Sequence, residues 1–363
     1  MNQVYMNQVL AAKLSAFVEV EKEAVDVKEQ RAAASVDLKK QVQCFWQQRP
    51  CDSWFANGRP GTPTFYSTLD EHRYRVHPNL IAAVGFEKTR GLRVLEIGCG
   101  CGSEAELFAR AGAYYTAVDL TNAAVTLTQK RFQLAELPGH FTQGDAENLP
   151  FADGSFDLVY SHGVLHHTPD TARAIREVHR VLSPCGRAVI MLYHRKSFNY
   201  AINLRVVRRL RAQLLRSRIG LKLVQKIWRE SANELLRHAE LISQDPSAYL
   251  DMQNMLNRNT DGADNPLSQV FSDKSARSLF RQFRTVETKV MFWNPNWLPG
   301  LGILLPRSLE DKLAARWGWH LWIYAQKVPR NTTLQHVPHQ TWTRQSAKEG
   351  TPADLRNPSV TAC

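Results

Sequence analysis

Between residues 93 and 193 the chain alternates short, unbroken apolar runs with amphipathic stretches. VLEIG is followed by SEAELFARAGA, YYTAVDL by TNAAVTLTQKRFQLAEL, HFTQGD by FDLVYS, and TARAIREVHRVL by GRAVIMLYH. A strand with one wet face shows a polar residue at every second position, whereas runs this solidly apolar belong to strands covered on both faces. Parallel sheets flanked by helices provide that environment. The segment therefore predicts a doubly wound α/β domain.

The flanks read differently. Residues 10–48 contain no Gly or Pro and are rich in Ala, Val, Glu, Lys and Gln, the composition of a helix with an exposed charged face. Arg49 to Pro63 is a loop dense in Pro and Gly, and a short linker ends near Pro78. After the α/β segment, residues 198–242 predict two helices broken at Gly220, with Leu221, Val224, Trp228, Leu235 and Ile242 on one apolar stripe. SDKSARSLFRQF predicts another helix, and TVETKVMFW and HLWIYAQK predict two closing strands. The expected division is a helical cap or lid over 1–85, a catalytic domain over 86–327 with a helical insertion at about 198–260, and a polar, disordered tail over 328–363.

Composition excludes several classes. With 44% apolar and 22% charged residues the 363-residue chain has the makings of a folded core, and no unbroken apolar run reaches the length of a membrane span. The first residues lack the basic, apolar and small-residue blocks of a secretory signal, so a cytoplasmic protein is expected. The six cysteines form no CxxC pair and no Cys/His spacing suited to zinc, so no metal is expected. The net charge of +12 is unevenly spread: residues 91–193 hold 8 basic and 11 acidic side chains, residues 194–327 hold 22 and 11. The positive excess is concentrated at Arg205, Arg208, Arg209, Arg211, Arg216, Arg218, Lys222, Lys226 and Arg229, which no acid interrupts.

The chemistry-bearing residues cluster at the ends of the predicted strands. VLEIGCGCG places Gly98, Gly100 and Gly102 where a strand turns into a helix, so a ligand can lie against backbone N–H groups. The spacing G-x-G-x-G, with acidic Glu96 just before it, departs from the dinucleotide pattern and disfavours a pyrophosphate. A cationic ligand of adenosine type, S-adenosylmethionine, fits better. Asp119 ends the next strand, where a carboxylate can accept from ribose hydroxyls, with Thr121 as N-cap of the following helix. Asp145 and Ala146 follow the third strand, placed to read an adenine edge; Ser161 and His162 end the fourth. In open α/β sheets ligands bind beyond the carboxyl ends of the strands, so these groups should converge.

The succession VLEIGCGCGSE, VDL, GDAENLPFADGSFDLVYSHGVLHHTPD and VLSPCGRAVIMLYHR resembles the class I S-adenosylmethionine-dependent methyltransferases, type 11, over about 100 residues; RYRVHPNL, YHR and WGWHLWI are similar to capped bacterial small-molecule members. The resemblance implies a seven-stranded Rossmann-like sheet in the order 3-2-1-4-5-7-6. It implies cofactor contacts at Glu96, Gly98, Gly100, Asp119, Asp145, Ala146 and Ser161, with Cys99 and Leu120 as their neighbours. Methyl transfer from a sulfonium is an in-line displacement, so the protein aligns the reactants and excludes water, and a base matters only if the acceptor must lose a proton. The candidates for that role, or for substrate contact, are His162, His166, His167, Tyr193 and His194, with Asp170 and Glu71 as carboxylate alternatives. A lid is expected from Trp54, Phe55, Phe65, Tyr66 and Tyr74, and substrate contacts from Tyr66, Tyr74, Arg195 and Trp293. The expected acceptor is a small amphiphile, anionic in the manner of a prenyl diphosphate, held by a few arginines of the basic block beside Phe292, Trp293 and Trp297. The same block also suits RNA, although no RNA-binding motif accompanies it, or an anionic membrane surface. An RNA methyltransferase and a cofactor-binding regulator without turnover are the alternatives, and the N-terminal helices suit a lid or a homodimer face.

Overall fold

The structure is a computed structural model and describes residues 34–228, 230–297 and 305–328. The expectations for 1–33, for Arg229 and for the tail beyond 328 lie outside the described residues. Helix α1 (34–48) is followed by α2 (Pro63–Val76) and α3 (Leu80–Val84). Then come β1 (Arg93–Ile97), α4 (Ser103–Arg110), β2 (Tyr114–Asp119), α5 (Asn122–Ala135), β3 (His140–Gln143), β4 (Phe156–His162), α6 (Thr171–Val181) and β5 (Leu182–Tyr193). A π-helix (Asn199–Val207) leads into α7 (Arg208–Leu214), α8 (Arg218–Trp228), α9 (Ala232–Gln244), α10 (Pro246–Leu250) and α11 (Met252–Arg258). The chain closes with α12 (Asp273–Leu279), β6 (Thr285–Met291), α13 (Arg307–Trp317) and β7 (His320–Gln326).

The seven strands form one sheet in the order β3-β2-β1-β4-β5-β7-β6. Strands β1 to β5 pair in parallel, and β7 runs antiparallel between β5 and β6. The sheet is thus the Rossmann-like one expected, and each of its strands overlaps a segment read as a strand in the sequence. Two cores cover it, one around Phe108, Tyr115 and Tyr160, the other around Leu95, Ile175 and Ile190.

The antiparallel β7 brings its first residue, His320, opposite Tyr193 and Met291, at the same sheet edge as the carboxyl ends of the parallel strands. That edge carries the site.

Two flanking expectations are corrected. The supposed linker before Pro78 is largely the 14-residue helix α2, started by Thr62, whose side chain accepts from Phe65 N–H, and by Pro63 in the first turn. In the insertion the helix break falls at residues 215–217, not at Gly220, which lies buried within α8. A Cβ there would sit 2.0 Å from the Leu214 carbonyl oxygen, so glycine serves close packing of α8 on the end of α7. Val224, Leu235 and Ile242 do share a core with Ala212 and Leu215, as the stripe implied.

Candidate functional site

A cleft with about 1040 Å³ of empty space, mouth included, opens at the carboxyl edge between β1, β2 and β4. Its floor is the turn after β1. Gly98, Gly100 and Gly102 all have positive φ, at 82°, 54° and 81°, so the turn is of a kind that other residues adopt only with strain. A Cβ on Gly98 would come within 2.1 Å of Val164, which also lines the cleft. Asp119 ties β2 to this turn: its Oδ2 accepts from Gly100 N–H at 3.3 Å, its Oδ1 from the Thr121 N–H and hydroxyl at 2.9 Å each. A carboxylate oxygen has two lone pairs, so Oδ2 retains an acceptor position, and Asp119 lines the cleft. Thr121 also caps α5 as expected, accepting from Ala124 N–H.

The roof comes from the N-terminal segment, but not from the residues expected. Lys39, Val42 and Trp46 of α1, the loop Pro50–Asp52, and Leu69 and Arg73 of α2 line the cleft. Of the aromatic residues expected to form a lid, Phe65 and Tyr66 pack inward with Leu69 and Cys101, and Trp54 and Phe55 are exposed. Tyr66 donates to the Leu127 carbonyl, and Tyr74 to that of Ser103; neither lines the cleft.

Five carboxylates, those of Asp52, Glu104, Asp119, Asp145 and Glu147, and two cations, Lys39 and Arg73, line the cleft. Lys39 Nζ reaches Asp145 and Glu147 at 2.6 Å each. Arg73 forms a fork on Glu104 at 2.5 and 2.8 Å and also reaches Asp52 at 2.5 Å. Both cations are therefore spent on the lining itself, and the surplus of negative charge favours a cationic guest over a phosphate. The donor set fits the adenosyl sulfonium that the sequence implies: glycine backbone, a ribose acceptor at Asp119, and an acidic wall.

Several expected contacts lie elsewhere. Glu96 is buried behind the turn, where Tyr115 donates to it at 2.6 Å; burial, with Glu104 nearby, pushes its carboxyl well above the usual range. Ser161 is fully buried, donating to the Ile97 carbonyl. Neither lines the cleft, whereas Gly98, Cys99, Gly100, Asp119, Leu120, Asp145 and Ala146 do. Asp170 is the N-cap of α6, accepting from Arg173 N–H, and Glu71 is exposed on α2. His194 is tied to the Gly318 carbonyl and Arg195 is exposed, both outside the cleft. His166 is fully buried against Tyr193, with ring centroids 3.7 Å apart.

Two histidines do line the cleft, and their bonds separate their roles. A guanidinium only donates, so Arg73 Nη2, 2.9 Å from His162 Nδ1, fixes that nitrogen as an acceptor. Burial, with Arg73 beside it, holds His162 well below the usual imidazole pKa, so the ring is neutral and its proton sits on Nε2. His162 Nε2 is thus a buried donor without a hydrogen-bond partner among the described residues, and the ring is not a base. His167 is arranged oppositely: its Nδ1 lies 2.5 Å from the Leu267 carbonyl and must donate, so that in a neutral ring Nε2 is the nitrogen left to accept. That Nε2 stands 3.5 Å from Asp261 Oδ2, and Asp261 also accepts from the Tyr193 hydroxyl at 3.0 Å. Asp261, Arg73, Glu104 and Lys39 were not read from the sequence as site residues.

A second cavity adjoins the first through His162. His77, Phe292, Trp293, His320 and Trp322 line it, together with Glu310 and Asp311 of α13. None of the basic side chains of 205–226 lines either cavity. Among the described residues no group of three or more His, Cys, Asp or Glu is placed to hold a metal ion, and no helix is long and apolar enough to cross a membrane.

Residues 95–190 match the family model described as a methyltransferase domain. The chain is 44% identical over 115 residues to the phthiotriol/phenolphthiotriol dimycocerosates methyltransferase of Mycobacterium leprae, covering 31% of this chain and 42% of that protein. It is 42% identical over 98 residues to the fatty-acid O-methyltransferase of Mycolicibacterium smegmatis, covering 26% and 35%. The chain thus spans less than half the length of these curated relatives. Among solved structures, the magnesium protoporphyrin IX methyltransferase of Synechocystis PCC 6803, with bound SAH, aligns over 80% of this chain and 99% of that one, with 15% identity and a TM-score of 0.46.

Proposed function

From the class I methyltransferase domain formed by residues 95–190, we propose that the chain transfers a methyl group from S-adenosylmethionine to a hydroxyl or carboxyl group of an apolar, lipid-like acceptor. The observation that carries the reading is the acidic cleft over the glycine turn, with an acceptor position left on Asp119 Oδ2. Curated relatives named for fatty-acid and dimycocerosate methylation favour an apolar acceptor over a prenyl diphosphate, and the basic block stands away from both cavities.

The cofactor, when bound, supplies a methyl already activated on a sulfonium. The residues do the rest. The turn Gly98–Gly102 and Asp119 orient the nucleoside, and the carboxylates of the cleft favour the positive sulfonium. Lys39, Trp46 and Arg73 close the cleft from above, which keeps water from the reacting centre. For a hydroxyl acceptor, His167 Nε2 takes the proton, and Asp261 faces the imidazolium so formed. A carboxylate acceptor needs no such step.

The reading is tested by titrating wild-type protein with S-adenosylmethionine and by following labelled methyl into long-chain alcohols and fatty acids. Micromolar binding and label in the apolar extract are expected; absence of binding by pure protein refutes the reading. His167→Asn keeps a donor for the Leu267 carbonyl and removes Nε2. It is expected to lower kcat toward a hydroxyl acceptor by about 10²- to 10⁴-fold with cofactor affinity unchanged, while methylation of a carboxylate is spared.

A further inference from the structure

Seven large apolar side chains between residues 202 and 227 are exposed, among fifteen in all the described residues, so this short stretch holds nearly half of the exposed apolar bulk. They fall into two rows at four-residue spacing, one along the π-helix and α7 ending at Leu210 and Leu214, the other Ile219, Leu223 and Ile227 on α8. Ile219 is 83% and Leu210 64% exposed. The inward faces of the same helices already have a core of their own through Ala212, Leu215 and Val224, so the outward rows contribute nothing to the fold.

The charges follow the same spacing. Val206, Leu210, Ile219, Leu223 and Ile227 are each directly preceded by an exposed arginine or lysine, and no acidic residue occurs between Glu177 and Glu230. Arg208 and Arg211 are satisfied by Glu230, but Arg209, Arg218, Lys222 and Lys226 make no ion pair among the described residues. A basic row beside an apolar row matches a surface with anionic groups above hydrocarbon. RNA would use the cations and leave the apolar row in water. An isologous dimer through this face would bring two equally basic patches together. The insertion is also braced to the roof of the cleft, through Arg49 and Glu234 at 3.5 Å, next to α1.

We infer that residues 202–227 dock on the surface of an anionic lipid bilayer, with the apolar rows in the headgroup–acyl boundary and the basic rows against lipid phosphates. This surface function is separate from methyl transfer and needs no cofactor. The test is flotation of the full chain with phosphatidylglycerol–phosphatidylcholine vesicles and with phosphatidylcholine alone. Partition onto the anionic vesicles is expected to be at least about tenfold stronger and to fall with added salt. The triple change Ile219→Ser, Leu223→Ser, Ile227→Ser and the pair Lys222→Glu, Lys226→Glu are each expected to weaken it by about tenfold or more. Both sets lie on the surface away from the cleft, so S-adenosylmethionine affinity reports that the fold is kept. The inference is overturned if the wild type ignores anionic vesicles, if the serine variant binds them as well as the wild type, or if the serine change abolishes only self-association. Binding of single-stranded RNA that survives the serine change, without vesicle binding, overturns it in favour of nucleic acid.

Discussion

Asp119→Ala is expected to weaken S-adenosylmethionine binding by about 30- to 1000-fold. The carboxylate has two tasks at once. In the proposed reading its open position on Oδ2 accepts from a ribose hydroxyl, and hydrogen bonds to a charged group are worth about 1.5–3 kcal/mol each. Its bond from Gly100 N–H also keeps the turn in the positive-φ shape on which the nucleoside rests, so alanine loses part of the preorganisation as well. Two to four kcal/mol in total corresponds to about the stated range, at about 1.4 kcal/mol per tenfold. Asp119→Asn keeps an oxygen for Thr121 and gives up the charge, so it should fall between, near about tenfold. Calorimetric titration of both variants measures the effect, with urea unfolding as the control: Thr121 still caps α5, so stability should drop by no more than about 1–2 kcal/mol. An alanine variant that binds the cofactor within twofold of wild type removes Asp119 from the site.

The parts of this site that sequence made legible share one property: each is fixed by its own strand end. A buried parallel strand advertises itself as an apolar run, its end can be placed to within a residue or two, and whatever follows must lie at the sheet edge. Gly98, Gly100, Asp119 and Asp145 are all of this kind, and all line the cleft. Glu96 lies off the cleft because side chains alternate along a strand. It shares a face with Val94, toward Tyr115 and the core around Phe108, while Leu95 and Ile97 lie in the other core. Arg73, Lys39 and Asp261 were out of reach for another reason. Their partners Glu104, Asp145 and His167 are 31 to 106 residues away in the chain, and only the tertiary approach of α1, α2 and the loop after α11 brings them together. For α2 a local signal did exist, Thr62 followed by Pro63, the N-cap and first-turn pair of a helix start. The polar, Pro-rich texture before it concealed that signal.

Acid should unfold this protein early, by a route that starts at the same sheet edge. His77, His162 and His320 pack ring to ring there, His166 lies on Tyr193, and His238 is buried within the insertion against Tyr249. Burial holds all five below the usual imidazole value, His77 at about 3, His238 at about 2, the other three well below 6.5. In the unfolded chain each titrates near about 6.5, so below that pH the unfolded state binds protons that the folded state refuses. The sign follows: stability is full above about pH 6.5 and is lost as the pH falls, by about 1.4 kcal/mol per histidine between about pH 7.5 and 5.5. Five together come to about 7 kcal/mol. Glu96 acts in the opposite sense, since a carboxyl raised by burial takes up its proton in the folded state first, and it returns at most about 3 kcal/mol over the same interval. The net loss of about 4 kcal/mol is a large share of the 5–15 kcal/mol that holds a domain together. Urea midpoints should therefore fall steeply over this interval. His77→Phe, which removes one titrating ring from the cluster, should flatten the slope by about one proton's worth. A midpoint that is level or rises toward about pH 5.5 means that these imidazoles are charged in the folded protein, and then His162 no longer presents the cleft with a neutral ring held by Arg73.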